Sequence, residues 1–206
     1  CSGFIYEPGK IGTNYHVVEN AKSITIEFED GTFYEGAVKV LGFDKVLDLA
    51  AIAITRKTDP VLVLGTSSTL KKGQEIYTIG SPVGLKNTLS NGLISSLRED
   101  SIQITAPISP GSSGGVLLNV YGQVIGITNA GIIEGENLGF AIPVDLFKKL
   151  NKTNDYALDK FVALSSQKPK AVSYVNLKQS GVDALEVIWN RSEERRVGKE
   201  CISRWS

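Results

Sequence analysis

Short strand-like segments, each closed off by a turn, run through the first 142 residues, and that cadence points to antiparallel β structure. Residues 23–29 alternate apolar and polar side chains, turn at Asp30-Gly31 and return through 32–40. Residues 48–54 read as a buried strand, and Thr58-Asp59-Pro60 begins a crossing segment. A second series of strands follows at 75–80, 88–96, 102–105, 115–118, 123–129 and 139–142. The expected architecture is all-β, two antiparallel barrels at roughly 1–60 and 70–142, with helical spacing over 143–150. Pro143 suits the first turn of that C-terminal helix.

Composition excludes several classes. With 206 residues, 42% of them hydrophobic, and 22 basic side chains against 22 acidic ones, the chain has ordinary globular character. It carries no charge bias towards nucleic acid or a membrane surface, and no apolar run approaches the ~18 residues of a spanning helix. Its two cysteines, Cys1 and Cys201, stand near the ends, so neither a disulfide framework nor a redox compartment can be read. No Cys, His or Asp cluster has metal-ligand spacing, and neither a metal nor a cofactor is expected.

Chemistry enters with Gly111-Ser112-Ser113-Gly114-Gly115, set just before Val116-Leu117-Leu118. Glycines around a serine let the backbone turn tightly, converge N–H groups and leave a hydroxyl accessible. A hydroxyl beside converging donors is what acyl transfer needs, although Gly-Ser turns are common without it. His16 is the only histidine. An unperturbed imidazole titrates near ~6.5 and shuttles protons at neutral pH, so histidine-dependent catalysis here must use it. The plain alternative is a half-buried histidine at a strand end. Asp48 interrupts the apolar stretch 46–54, where an ionised carboxylate is costly unless paired or hydrogen-bonded. The plain alternative is a strand-start aspartate that faces solvent or caps a turn. Asp44 looks like the exposed one of the two.

The chain order is His, Asp, Ser. That is the order of the chymotrypsin-like double barrel and of neither subtilisin nor the α/β-hydrolases. Gly111-Ser112-Ser113-Gly114-Gly115 formally fits a nucleophile elbow, but that fold needs a later histidine and none follows Ser113.

These segments resemble the trypsin-like HtrA/Deg family of serine endopeptidases. Ser2-Gly3-Phe4-Ile5 is similar to its opening strand, Thr13-Asn14-Tyr15-His16-Val17-Val18 to its histidine motif and Asp48-Leu49-Ala50 to its aspartate motif. The run from Ala106 through Gly115 is similar to its nucleophile loop, and Leu138-Gly139-Phe140-Ala141-Ile142-Pro143 to its last strand. The resemblance covers about residues 2 to 150 and implies a 1–150 protease domain built of six-stranded-type barrels. It implies Ser113 as nucleophile, His16 as general base and acid, Asp48 as the group orienting the imidazole, and the N–H groups of Gly111 and Ser113 as the oxyanion hole. It further implies a substrate-binding set of Ile127, Thr128, Asn129, Ala130, Gly131 and Phe140. The pocket would be walled by residues 105–110 and 127–131 and closed by 138–141.

None of those wall residues is charged, so a small or medium apolar P1 side chain is expected, with the substrate added as a strand along 129–131. Ser112 stands where the family usually has Asn and digestive relatives have Asp, so no zymogen switch that buries a freed amine is expected. Val116 stands where many relatives have Pro. The 97–101 connection is short where relatives carry a long regulatory loop. Family relatives commonly trimerise and work in extracytoplasmic or organellar compartments, but no signal for either stands in this sequence.

The sequence starts inside what resembles the second strand of the first barrel, with no initiator Met and no signal-peptide pattern, and a missing first strand would leave an exposed edge. Residues 151–190 are expected to be a linker or unassigned segment, with possible helices at 156–164 and 182–189 and no PDZ-type loop. Residues 191–206 resemble a translated sequencing-adapter read-through and are expected to be foreign, the alternative being a solvated charged tail. The expected activity is endopeptidase cleavage of extended or unfolded polypeptide. The alternatives are a catalytically silent peptide-binding module on the same fold, and an esterase sharing the chemistry.

Overall fold

The computed structural model describes residues 1–58, 60–81, 88–129 and 139–165. Its first half is an antiparallel sheet of β1 (Phe4–Glu7), β2 (Lys10–Thr13), β6 (Leu49–Ile54), β5 (Val38–Asp44) and β13 (Tyr156–Ala157), in that spatial order. A separate hairpin pairs β3 (Ile26–Glu27) with β4 (Phe33–Tyr34). The second half is a closed barrel of β7 (Glu75–Gly80), β8 (Thr88–Leu97), β9 (Ile102–Ile104), β10 (Val116–Leu118), β11 (Val124–Asn129) and β12 (Gly139–Pro143). Among the described residues the helices are α1 (Tyr15–Val18), α2 (Val144–Lys149) and α3 (Leu158–Ser165).

β6 shows how the halves are joined. Successive side chains of a strand point to opposite faces, and in Leu-Ala-Ala-Ile-Ala-Ile both faces are buried. Ala50, Ile52 and Ile54 enter a cluster with Ile11, Tyr15, Val18, Val38, Val40 and Phe161. Leu49 and Ala51 face the other way, into a core shared with Phe4, Tyr6 and Phe147 and with Val116, Leu118, Val124 and Ile127 of the barrel. Small alanines let a strand be packed from both sides. Phe147 of α2 stacks its ring edge against Tyr6 at 5.2 Å and lies 5.6 Å from Phe4, so α2 plugs the seam between sheet and barrel. The barrel interior is a separate, mostly isoleucine core of Ile76, Ile94, Ile102, Ile104 and Ile125 with Leu117.

The connecting segment is stitched to both halves. Leu62 N–H donates to Ile5 O of β1, and Val124 N–H of β11 donates to Val63 O, at 2.8 and 2.9 Å. At its far end Asp145 Oδ2 accepts the N–H groups of Ser67 and Ser68, each at 2.9 Å, and the hydroxyl of Thr66 at 3.0 Å. Burial works to raise the pKa of this carboxyl. The hydrogen bonds from Ser67, Thr66 and Lys148 outweigh that and hold it at about 2.

The all-β double-barrel expectation holds, and two others change. Among the described residues the first barrel consists of the five-stranded sheet and the separate β3–β4 hairpin. Ile24, Ile26 and Phe28 are only half-buried, and regular pairing in the hairpin shrinks to two residues a side. Pro143 ends β12 and occupies the position before α2, whose first residue is Val144. Part of the expected linker is packed: Tyr156 pairs with Val40, and Phe161 is fully buried with its ring 5.1 Å from Phe43 and 6.0 Å from Tyr15. The sheet edge at β5 was open to pairing, and an aromatic slot beneath it needed filling. The expected helix at 182–189 and the tail 191–206 lie outside the described residues.

Candidate active site

Four residues of helix suffice to present His16. Tyr15 and Val18 are 2% and 1% exposed and anchor α1 to the sheet core, which turns the half-buried His16 away from that core. The histidine therefore sits on a helical turn and not at a strand end. Asn14, just before it, is completely buried and donates Nδ2 to Asp48 O at 2.9 Å.

Asp48 holds a left-handed backbone conformation, φ +55°, immediately before β6. Aspartate is one of the few side chains that tolerates that region, and the bend swings the carboxylate away from the apolar stretch. Its Oδ1 accepts the His16 backbone N–H at 2.8 Å, and its Oδ2 meets His16 Nδ1 at 2.6 Å. An ionised carboxylate only accepts, so this contact takes a ring proton on Nδ1 and leaves Nε2 as the nitrogen turned away from the carboxylate. Asn129 Nδ2 donates to the same Oδ2 at 3.1 Å. Three donors compensate a carboxylate whose side chain keeps 22% exposure. Asp44, expected to be the exposed aspartate, is half-buried as well, and spends Oδ1 on the N–H groups of Val46 and Leu47.

The serine loop is shaped mainly by backbone bonds. Ser112 N–H donates to Ser109 O at 3.0 Å, with Pro110 and Gly111 between them and Gly111 at φ +100°. Proline followed by a positive-φ glycine makes this a type II turn, which sets the plane of the Pro110–Gly111 peptide. Gly115 N–H then donates to Ser112 O, and Gly114 N–H to Thr128 O. Thr128 Oγ1 also donates to Ser112 O at 2.7 Å. Ser112 and Ser113 are each 6% exposed.

Two bridges hold this loop against the His–Asp pair. On β11, Thr128 braces the serine loop while the next residue, Asn129, bonds Asp48. On the other side, Ser2 N–H donates to Ser113 O at 2.8 Å, and Thr13 Oγ1, three residues before His16, donates to Ser2 O. His16 and Asp48 are thus in direct contact, and the Ser113 loop is tied towards them through two residues on each flank, Thr128 and Asn129 on one and Ser2 and Thr13 on the other.

The expected substrate-binding set fares unevenly. Ile127 is fully buried in the shared core, and the side chains of Thr128 and Asn129 point into the bracing network. Strand alternation explains this, because a wall residue on a barrel strand must face either core or loop. Phe140 is half-buried and pairs with Asn129, while Ala130, Gly131 and Leu138 lie outside the described residues. The Asn129 contact to Asp48 has no local sequence signal, since the two positions stand 81 residues apart. A cavity of about 290 Å³ lies against the serine loop, lined by Ile79, Pro107, Ile108, Ser109, Ser112 and Thr128 among others. It shares Pro107, Ile108, Ser109 and Thr128 with the expected pocket walls. Among the described residues no group of three or more His, Cys, Asp or Glu side chains could hold a metal ion, and no helix is long and apolar enough to cross a membrane.

Comparison with known proteins matches residues 1–127 to the trypsin-like peptidase domain. HhoA of Synechocystis sp. is 42% identical over 167 residues, 74% of this chain and 42% of its own length. The serine protease HTRA4 of Homo sapiens is 34% identical over 95% of this chain and 41% of its own length. Among solved structures, the HtrA-type protease AlgW with a decapeptide superposes with a TM-score of 0.65 at 34% identity, covering 70% of this chain and 48% of that one. The chain spans less than half the length of each of these three proteins.

Proposed function

Since the chain belongs to the trypsin-like peptidase family, we propose that it is an HtrA-type serine endopeptidase acting on extended or unfolded polypeptide. The observation that carries this reading is the 2.6 Å contact of His16 Nδ1 with Asp48 Oδ2, braced to the glycine-rich serine loop through Thr128 and Asn129.

Ser113 Oγ attacks the scissile carbonyl carbon and its proton passes to His16 Nε2. The carbonyl electrons move to the oxygen, which is held by the N–H groups of Gly111 and Ser113. As the tetrahedral centre collapses, the C–N bond breaks and the imidazolium returns its proton to the leaving amine. Water repeats the sequence on the acyl-enzyme and frees Ser113. Asp48 stays ionised throughout, fixing the ring's tautomer and stabilising its charged form. The type II turn at 109–112 is the conformational basis for the donor at Gly111, because the positive φ needs a residue without Cβ.

The substrate joins as a strand beside β11, with specificity from the uncharged walls at 105–110. That favours an apolar P1 side chain over Lys or Arg, which would have no counter-charge. Wild-type chain incubated with a reduced, unfolded protein is expected to cut after apolar residues, and Ser113→Ala to cut nothing. Cleavage that persists in Ser113→Ala, or that falls after Lys and Arg, overturns this reading.

A further inference from the structure

We infer that Ser2 is a positioning residue for the oxyanion loop, a role that rests on the endopeptidase reading above. All of its polar groups are engaged. Its N–H donates to Ser113 O at 2.8 Å, its hydroxyl donates to Gly111 O at 2.9 Å, and the same hydroxyl oxygen accepts Ser81 N–H at 3.0 Å. Its carbonyl accepts Thr13 Oγ1 at 2.8 Å. The contact is also sterically close, since a Cβ on Gly114 would drive into the Ser2 carbonyl and Thr13 Oγ1.

The reason such a clasp matters lies in glycine. A type II turn and a type I turn differ mainly by a flip of their central peptide, here Pro110–Gly111. Glycine at the third position, with no Cβ, does little to oppose that flip. A flip would turn the Gly111 N–H away from the developing oxyanion and put a carbonyl in its place. Ser2 grips two carbonyls of the loop, Gly111 O two residues before the nucleophile and the nucleophile's own Ser113 O, and so restrains the glycine's torsions from outside the loop. Ser81 N–H, at the exit of β7, engages the same hydroxyl, which makes that hydroxyl a shared pin between two loops.

Ser2 touches neither substrate nor reacting atoms, so its loss should register in the transition state and not in ground-state binding. Removing an oxyanion donor outright costs about 10²–10³ in rate, and a pin acting through such a donor should cost less, about tenfold. The test uses the 206-residue chain with Ser2→Ala and Ser2→Thr, read by peptide hydrolysis, by the rate of fluorophosphonate labelling and by thermal melting. In labelling, Ser113 Oγ forms the bond to phosphorus, fluoride leaves, the serine proton goes to His16, and the phosphoryl oxygen takes the oxyanion's place. Ser2→Ala should lower kcat and the labelling rate by the same factor of about ten, with KM within about twofold, and Ser2→Thr should recover most of it. A Ser2→Ala protein that matches wild type in kcat and labelling, or that loses only KM or melting temperature, overturns the inference. A wild type that is neither labelled nor hydrolytic overturns the endopeptidase reading instead.

Discussion

The sheet half and the barrel half hold their functional groups by different means. In the closed barrel every strand has two neighbours, and the serine loop between Ala106 and β10 is braced largely by backbone bonds around positive-φ glycines. In the open sheet, His16 and Asp48 are placed by side chains: Asn14, Asn129 and the ring–carboxylate contact itself. The sheet also depends on a late addition, β13 and α3, to cover β5 and fill its aromatic slot. The barrel closes on itself and takes from the sheet side the Ser2 clasp on its serine loop, whereas the sheet is an assembled platform, so damage at a distance should reach the His–Asp pair more readily than the serine.

The largest effect should come from the assembled side. Asp48→Asn leaves a side chain of the same shape but one that favours the wrong ring tautomer, and kcat should fall about 10⁴-fold with KM little changed. Steady-state hydrolysis of a peptide substrate checks it, and a loss under tenfold would mean that the carboxylate does not orient the ring. Next is Phe161→Ala, which empties the slot between Tyr15 and Phe43 at a cost of about 3–5 kcal/mol in urea unfolding. Hydrogen exchange should quicken in β5 and β6 while β8 and β9 keep their protection. Uniform loss across both halves would erase the distinction drawn here.

Smaller effects test the joints. Asn129→Ala removes one of three donors to Asp48 and should lower kcat about tenfold with unfolding nearly unchanged. An unaltered kcat would reduce Asn129 to filler. Asp145→Ala should cost about 1–2 kcal/mol, through three hydrogen bonds that tie the connecting segment to α2. Its carboxyl titrates lower folded, at about 2, than unfolded, at about 4. The stabilisation is therefore complete above about pH 4 and lost as pH falls to about 2. Wild type and Asp145→Ala should converge in melting temperature over that window, and a constant gap would contradict the assignment.

Local pattern carried much of this into view. Alternation and turn residues located most of the strands, and the spacing over 143–150 located α2, because these signals arise within a few residues. The glycines of the serine loop were legible for the same reason, as only they fit φ values of +84° and +100°. What was not legible required distant partners. Phe161 carries no mark that it will fill a slot beside Tyr15, and Asn129 none that its amide will reach Asp48. Ile127 shows the converse, since a position on a pocket-lining strand reads the same whether its side chain meets ligand or core.

The most direct test is to ask which atom reacts and on what it depends. Fluorophosphonate-treated chain, digested and read by mass spectrometry, should carry one adduct on Ser113. The adduct should persist in Ser112→Ala and fall by at least about 10³-fold in His16→Ala. An adduct on Ser112, or labelling of Ser113 indifferent to His16, would contradict a nucleophile on the barrel served by a base held on the sheet.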